Sequence, residues 1–204
     1  MASVNNVTDQ HLEDKHLVHR VLSGDTRSFG VVIKNTERLV TQIVFKLILN
    51  QEDRKDMVQE IYLKVYKKLP DFGFQSKLST WIAQISYNTC LDHLRKKKLV
   101  LPDAVQDADS TAEDKLDALN LQLNRMTTDD SMLRRDLSGI LQTEINRLSP
   151  LYKTLITLYH NEEMSYYEIG QITGLPEGTV KSYLYRARKA LQQNLLLTYK
   201  KEDL

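Results

Sequence analysis

The chain has 204 residues, enough for one large domain or two small ones, with 41% hydrophobic and 27% charged. Seven glycines and four prolines are too few to punctuate a fold of many short strands. No apolar run reaches the roughly 18 residues that cross a bilayer, and a formal net charge of +1 leaves only the distribution of charge to speak of partners. In chain order, apolar Leu17, Val18, Val21 and Leu22 mark a first helix that ends at Gly24. A long helix follows, with Phe29, Val32, Ile33, Thr36, Leu39, Val40, Ile43, Val44, Leu47 and Ile48 at three-and-four spacing.

Asn50 is placed to cap a third helix that ends before Pro70. Met57, Val58, Ile61, Val65 and Leu69 form its apolar side, while Asp56, Glu60, Leu63 and Lys67 lie opposite, with Gln59 at the edge. After the loop 71–77, Ser79 is the expected cap of a fourth helix ending in Arg95-Lys96-Lys97-Lys98. The stretch 99–132 then turns acidic and poor in large apolar residues. Asp103, Asp107, Asp109, Glu113, Asp114, Asp117, Asp129 and Asp130 face only Lys115 and Arg125, as in a solvated tether with transient helix near Asp114 to Asn124. Helical patterning resumes near Leu133, and Ser149-Pro150 supplies an N-cap with proline in the first turn. The expected fold class is all-α: two helical domains, 10–98 and 133–200, joined by a flexible acidic linker at 99–132.

The lone cysteine, Cys90, can form neither an internal disulfide nor a multi-cysteine metal site, which fits a reducing cytoplasm. The N-terminal stretch includes Asp9, Glu13 and Asp14 and does not read as a signal peptide. His11, His16, His19, His93 and His160 show no metal-motif spacing, and there is no glycine-rich phosphate loop or nucleophile motif. No catalytic residue, metal or cofactor is expected.

Two segments carry the functional signal. Ser165-Tyr166-Tyr167-Glu168 is a capping box opening a short helix that stops at Gly174, and Leu175-Pro176 make a turn into a second helix from Thr179 to about Leu195. On that helix Val180, Leu184, Ala187 and Leu191 form an anchoring stripe. Lys181, Ser182, Tyr185, Arg188 and Lys189 fall opposite, with Arg186 at the edge. Cations and short hydroxyls there suit phosphates and base edges in a major groove. A plain amphipathic pair with a solvated basic face fits the same spacing. In the fourth helix Trp81, Gln84, Asn88, Asp92 and Arg95 share one face. An aromatic followed by amide and cationic groups suits an opened DNA strand, although pattern alone favours a core tryptophan at Trp81, and the basic end also suits the helix dipole.

Asp56-Met57-Val58-Gln59-Glu60-Ile61-Tyr62-Leu63-Lys64-Val65, Ser79-Thr80-Trp81-Ile82 with Ile85, Asn88 and Leu91-Asp92-His93-Leu94-Arg95, and Ser165 to Gly170 with Gly178-Thr179-Val180-Lys181-Ser182 and Arg186-Ala187-Arg188 together resemble sigma factors of the sigma-70 family. The three segments stand in the family's order, with a linker where the family has one. The chain resembles the extracytoplasmic-function (ECF) group, which keeps only the second and fourth sigma domains. The resemblance implies a sigma factor that binds bacterial core RNA polymerase, reads minus-ten and minus-thirty-five promoter elements and assists melting.

By that resemblance Asp56, Gln59, Glu60 and Leu63 face the clamp helices of the polymerase largest subunit. Phe72 and Phe74 in the loop, with Trp81, Asn88, Asp92, Arg95, Lys96 and Lys97, meet the minus-ten DNA. Thr179, Lys181, Ser182, Tyr185, Arg186 and Arg188 meet the minus-thirty-five DNA. The acidic linker would thread toward the RNA exit channel, and an anti-sigma factor, membrane-anchored in many members of the group, is an expected partner, with no direct membrane insertion by this chain. Two departures stand out. Gly170 occupies a position often alanine, an exchange expected to leave helix crossing intact, and Tyr183 occupies one often basic, where a DNA backbone contact is expected to change. A stand-alone dimeric helix-turn-helix regulator would account for the C-terminal third but leave the segment from Asp56 to Arg95 idle. An adaptor that mimics a sigma domain would bind an anti-sigma protein without supporting transcription.

Overall fold

Between Ala2 and Leu22 the chain forms its first helix, α1, which stops at a turn where Gly24 takes a φ of +97°, a conformation that costs glycine little. The computed structural model describes residues 2–100 and 137–198, with side chains described over 12–96 and 139–197. The expected acidic tether, apart from its first two residues, and its transient helix lie outside the described residues. Every element described is a helix, and these gather into two compact units.

In the first unit, α2 (Thr26–Leu47) starts at Asp25, whose carboxylate accepts from the backbone N–H of Arg27 at 3.1 Å and of Ser28 at 3.3 Å. The same carboxylate accepts from the Ser28 hydroxyl at 2.8 Å and from Arg20 Nη2 at 2.7 Å. Together, Ser28 first and Arg20 next, they hold its pKa down at about 2 from 3.8. The folded value is the lower one, so the stabilisation is present above pH 3.8 and is lost as pH falls through 2. Melting wild type beside Asp25→Asn across pH 2 to 6 will therefore show a gap that is constant above about pH 5 and closes on acidification.

The apolar positions of α2 put Val32, Leu39, Val40, Ile43, Val44 and Leu47 in the core. Asn50 caps α3 (Gln51–Lys68) by accepting from the Glu52 N–H at 2.9 Å, as the sequence predicts. Acidic Glu52 and Asp53 in its first turn and Lys67 and Lys68 in its last complement the helix dipole. A 3-10 turn at Leu69–Asp71, with Pro70 in it, ends the segment.

The fourth helix, α4, runs Leu78–Val100 and corrects the expected cap. It continues two residues into the stretch assigned to the linker. It also begins before Ser79, so Ser79 is not its cap. The free backbone donor at Leu78, itself buried, is taken by the buried carboxylate of Asp14 in α1, at 2.9 Å. A carboxylate at a helix N-terminus serves both the free donor and the dipole. Here it arrives from 64 residues away in the chain.

Met57, Ile61 and Val65 of α3 and Leu78, Ile82, Ala83 and Cys90 of α4 complete this core, with Val18 and Val21 from α1. One polar pair is buried with it: the Tyr62 and Thr36 hydroxyls lie 3.1 Å apart, and Thr36 donates to the Val32 carbonyl at 2.8 Å. Each large aliphatic side chain buried here contributes about 1.5–3 kcal/mol. Surface ion pairs such as Glu60–Lys64, at 2.7 Å, contribute about 1 kcal/mol at most. Packing, not charge, holds the unit. Burial pushes the Cys90 thiol up to about 12, which keeps it protonated and inert.

The second unit takes in α5 (Leu137–Arg147), α6 (Pro150–His160), the first five residues of α7 (Tyr166–Thr173) and α8 (Glu177–Thr198). Ser149 caps α6 through the Tyr152 N–H at 3.4 Å, with Pro150 in the first turn as predicted. Leu148, Leu151, Leu155, Ile156, Leu158, Ile169, Val180, Leu184 and Ala187 are among its buried apolar residues. Among the described residues no helix is long and apolar enough to cross a membrane.

Candidate nucleic-acid interface

On α3 the residues Asp56, Gln59, Glu60 and Leu63 are all exposed, with Met57, Ile61 and Val65 buried on the other side. Leu63 leaves 62% of its surface in water, beside two carboxylates. An exposed leucine next to Asp56 and Glu60 has no role in this unit's own core. It is the kind of mixed apolar and acidic strip that a basic, apolar helix can cover.

The loop after the 3-10 turn builds an aromatic cluster. Phe72 packs on Trp81 at 5.0 Å between ring centroids and on Phe74 at 4.7 Å. Phe74 in turn stacks on His19 of α1 at 6.3 Å, with the Lys15 ammonium 5.8 Å from its centroid. Phe74 adopts a φ of +53°, left-handed backbone that a phenylalanine holds only where its surroundings dictate it. Phe72 is only 5% exposed, so it supports the cluster from below, whereas Phe74 and Trp81 are half-buried. Trp81 is thus not a fully buried core residue: one portion of the indole is packed and another is open.

From Trp81, the exposed side chains of Asn88, Asp92 and Arg95 continue up the same side of α4, with Lys96 beside them. At 1.5 Å per residue the row from Trp81 to Arg95 spans about 21 Å. Arg95 and Asp92 approach at 3.4 Å, both largely in solvent, a weak pair that leaves the guanidinium available. The side chain of Lys97 lies outside those described.

The helix-turn-helix forms as its capping chemistry dictates. Ser165 Oγ accepts from the Glu168 N–H at 3.2 Å, and Glu168 Oε2 accepts from the Ser165 N–H at 3.0 Å, the reciprocal capping box. Gly174 closes α7 at a φ of +74°. α8 starts at Glu177, two residues before the predicted Thr179, because the Val180 N–H already reaches the Pro176 carbonyl at 3.0 Å.

Gly170 corrects a further expectation. A methyl group there would sit 2.8 Å from the Leu175 carbonyl oxygen, so alanine is not a neutral exchange in this chain. The clash is with backbone in a tight turn and outweighs the ~1 kcal/mol that alanine gains in helix propensity.

Val180, Leu184 and Ala187 are buried as predicted, and Lys181, Ser182, Tyr185, Arg186, Arg188 and Lys189 are exposed, with Thr179 half-buried. Tyr185 is 65% exposed. The Ser182 hydroxyl donates back to the Thr179 carbonyl at 2.9 Å, which leaves its oxygen free to accept. Tyr183, read from sequence as altering a backbone contact, is instead 5% exposed. Its ring meets Tyr152 edge-on at 6.1 Å, and Arg186 lies over it at 5.5 Å. Positions 180, 183, 184 and 187 form one three-and-four stripe, and that spacing could have revealed Tyr183 as a core residue. Asp14 is the residue with no local signal at all.

Two family models match: sigma-70 region 2 over residues 32–100 and sigma-70 region 4 over residues 138–191. The ECF RNA polymerase sigma factor SigW of Bacillus subtilis (strain 168) is 30% identical over 182 residues, covering 89% of this chain and 96% of SigW. The chain belongs to the ECF sigma factors. Solved structures share the fold. CnrH, in complex with the cytosolic domain of CnrY, superposes with a TM-score of 0.62 at 20% identity, over 91% of this chain and 99% of its own. The sigma factor RpoE from Bartonella quintana, in complex with the anti-sigma factor NepR, gives 0.60 at 20% identity, over 85% and 99%. In this ECF sigma factor the exposed faces of α3 and α4 fall inside the region 2 match, and α8 up to Leu191 inside the region 4 match. The chain is a factor for promoter-directed transcription initiation with core RNA polymerase.

Proposed function

We propose the following division of labour among these surfaces. Asp56, Gln59, Glu60 and Leu63 bind core polymerase, at the clamp helices of its largest subunit. Phe74, Trp81, Asn88, Asp92, Arg95, Lys96 and Lys97 engage the minus-ten element, with Phe72 supporting the rings, and an extruded base is captured near the loop. Thr179, Lys181, Ser182, Tyr185 and Arg186 read the minus-thirty-five element from the major groove.

The working boundaries are 10–98 and 133–200, with 99–132 as the tether that threads toward the RNA exit channel. Tether and polymerase raise the local concentration of one weak DNA contact once the other is made, so both bind tightly together. Melting is driven by binding energy, and the chain performs no covalent chemistry. It acts in the cytoplasm, where polymerase is. An anti-sigma factor is the proposed restraint, supported by the complexes in which CnrH and the Bartonella quintana RpoE are held.

The observation that supports this reading best is the half-open Trp81, seated on Phe72 at the head of an exposed row of Asn88, Asp92 and Arg95. A ring held at one edge and open at the other can stack or pocket a base, and a row about 21 Å long can follow several nucleotides of an opened strand. Run-off transcription on a promoter library, with purified chain and bacterial core polymerase, tests it. Transcripts that need both components, from templates sharing two spaced elements, are the expected result. Tight binding of the chain alone to a palindrome, without transcription, would instead mean a dimeric regulator.

A further inference from the structure

Arg188 stands on the exposed side of α8 with Lys181 and Tyr185, where a DNA contact is the obvious role. Its guanidinium, however, is engaged within the protein. It lies over the ring of Tyr159, 5.2 Å from the centroid. Tyr159 sits at the end of α6, and its ring stacks on Tyr166, the first residue of α7, at 5.2 Å with 20° between the planes. His160 meets Tyr159 edge-on at 4.9 Å. Tyr166 is lowered from the usual phenol value by Tyr159 and then Arg188, and Tyr159 is raised by Tyr166.

One cation in the middle of α8 therefore covers the ring at the end of α6, and that ring stacks on the one at the start of α7. This stack of three groups fixes the angle at which the recognition helix leaves its support. A guanidinium released to reach a phosphate would give up the ring face. Its planar, weakly hydrated group suits that clasp, and a compact ammonium does not.

We propose that Arg188 is a positioning residue, which with Tyr159 and Tyr166 sets the angle of α8 for promoter entry and neutralises no DNA phosphate itself. The proposal rests on the reading of α8 as the minus-thirty-five reader and assigns Arg188 a different role within it.

The test is a salt titration of promoter binding by holoenzyme, formed from full-length chain and core polymerase, on a promoter selected from the library above. Arg188→Lys, Arg188→Gln, Tyr159→Leu and the Tyr159→Leu/Arg188→Gln double variant are compared with wild type, and Lys181→Glu serves as the control. A positioning role predicts that both Arg188 variants weaken binding by a similar two- to fivefold, about the scale of an exposed cation–π contact. Tyr159→Leu should do the same, and the double variant no worse than either single one. The slope of log K against log salt should stay at the wild-type value throughout.

A phosphate contact predicts otherwise: Arg188→Lys near wild type, Tyr159→Leu neutral, and Arg188→Gln lowering the slope by about 0.9. That pattern would overturn the proposal. Saturation binding separates affinity from folding, because a variant that only loses stability lowers the active fraction and leaves Kd unchanged; that result too would overturn it. If Lys181→Glu binds like wild type, the reading of α8 itself has failed. If Lys181→Glu is crippled while Arg188→Lys is normal, only the positioning role has.

Discussion

A chain carrying Lys181→Glu and Arg186→Glu will still bind core polymerase, yet lose promoter-directed run-off transcription by at least about a hundredfold. Each direct interaction of a cation with a base edge or phosphate carries roughly 1–3 kcal/mol, and every 1.4 kcal/mol is tenfold. Removing two of them at once gives about 30-fold to 10⁴-fold, and the introduced carboxylates add repulsion from the phosphates. The fold should survive. Both side chains are exposed, and the anchoring Val180, Leu184 and Ala187 are untouched. Only the stacking of Arg186 over the Tyr183 ring is sacrificed, at about 0.5–1 kcal/mol. Co-elution with core and an unchanged far-UV spectrum establish that the variant is intact. Run-off within threefold of wild type would remove α8 from promoter recognition.

The second large effect is on stability. Asp14→Ala removes the acceptor for the Leu78 N–H, leaving a buried donor unpaired at the start of α4. The penalty for such a donor is about 1–3 kcal/mol, and loss of an N-cap adds to it, so the expected cost is about 2–4 kcal/mol. For a unit of this size each kcal/mol moves the midpoint by about 4–8 °C, hence a fall in Tm of roughly 10–25 °C. Asp14→Asn keeps a side-chain oxygen in place and should recover most of the loss. Thermal melts of the three proteins decide the matter: an alanine variant that melts within about 2 °C of wild type would mean that Leu78 finds another acceptor.

Local chemistry is legible in the sequence. Asn50, Ser149 and the Ser165/Glu168 box cap the helices that their positions predict, because a cap is read within four residues of its target. The stripe of Val180, Leu184 and Ala187 is equally plain, since helical spacing reports which side is buried. The row of Trp81, Asn88, Asp92 and Arg95 follows from the same arithmetic. What stays hidden depends on partners distant in the chain or on backbone approach. Nothing near Ser79 says that Asp14 takes its place. Nothing in α7 alone says that Gly170 faces the Leu175 carbonyl at a distance that forbids a methyl group. Tyr183 is a different case, because two signals conflict there: a position often basic in the family points outward, while its helical spacing points inward, and the spacing wins. Arg188 shows how far the facing of a helix can mislead: a side chain on the exposed side can still be engaged by its own protein.

The Asp14 contact also bears on how such a protein is dissected. The match to sigma-70 region 2 begins at residue 32, and everything proposed to touch polymerase or the minus-ten DNA lies beyond it. Yet the acceptor that starts α4, and the His19 ring and Lys15 ammonium that flank Phe74, all come from α1. The smallest autonomous piece of this half of the molecule is thus larger than its recognisable motif. A fragment trimmed to the region 2 match would keep every residue of this proposed surface and discard the helix that holds that surface in shape.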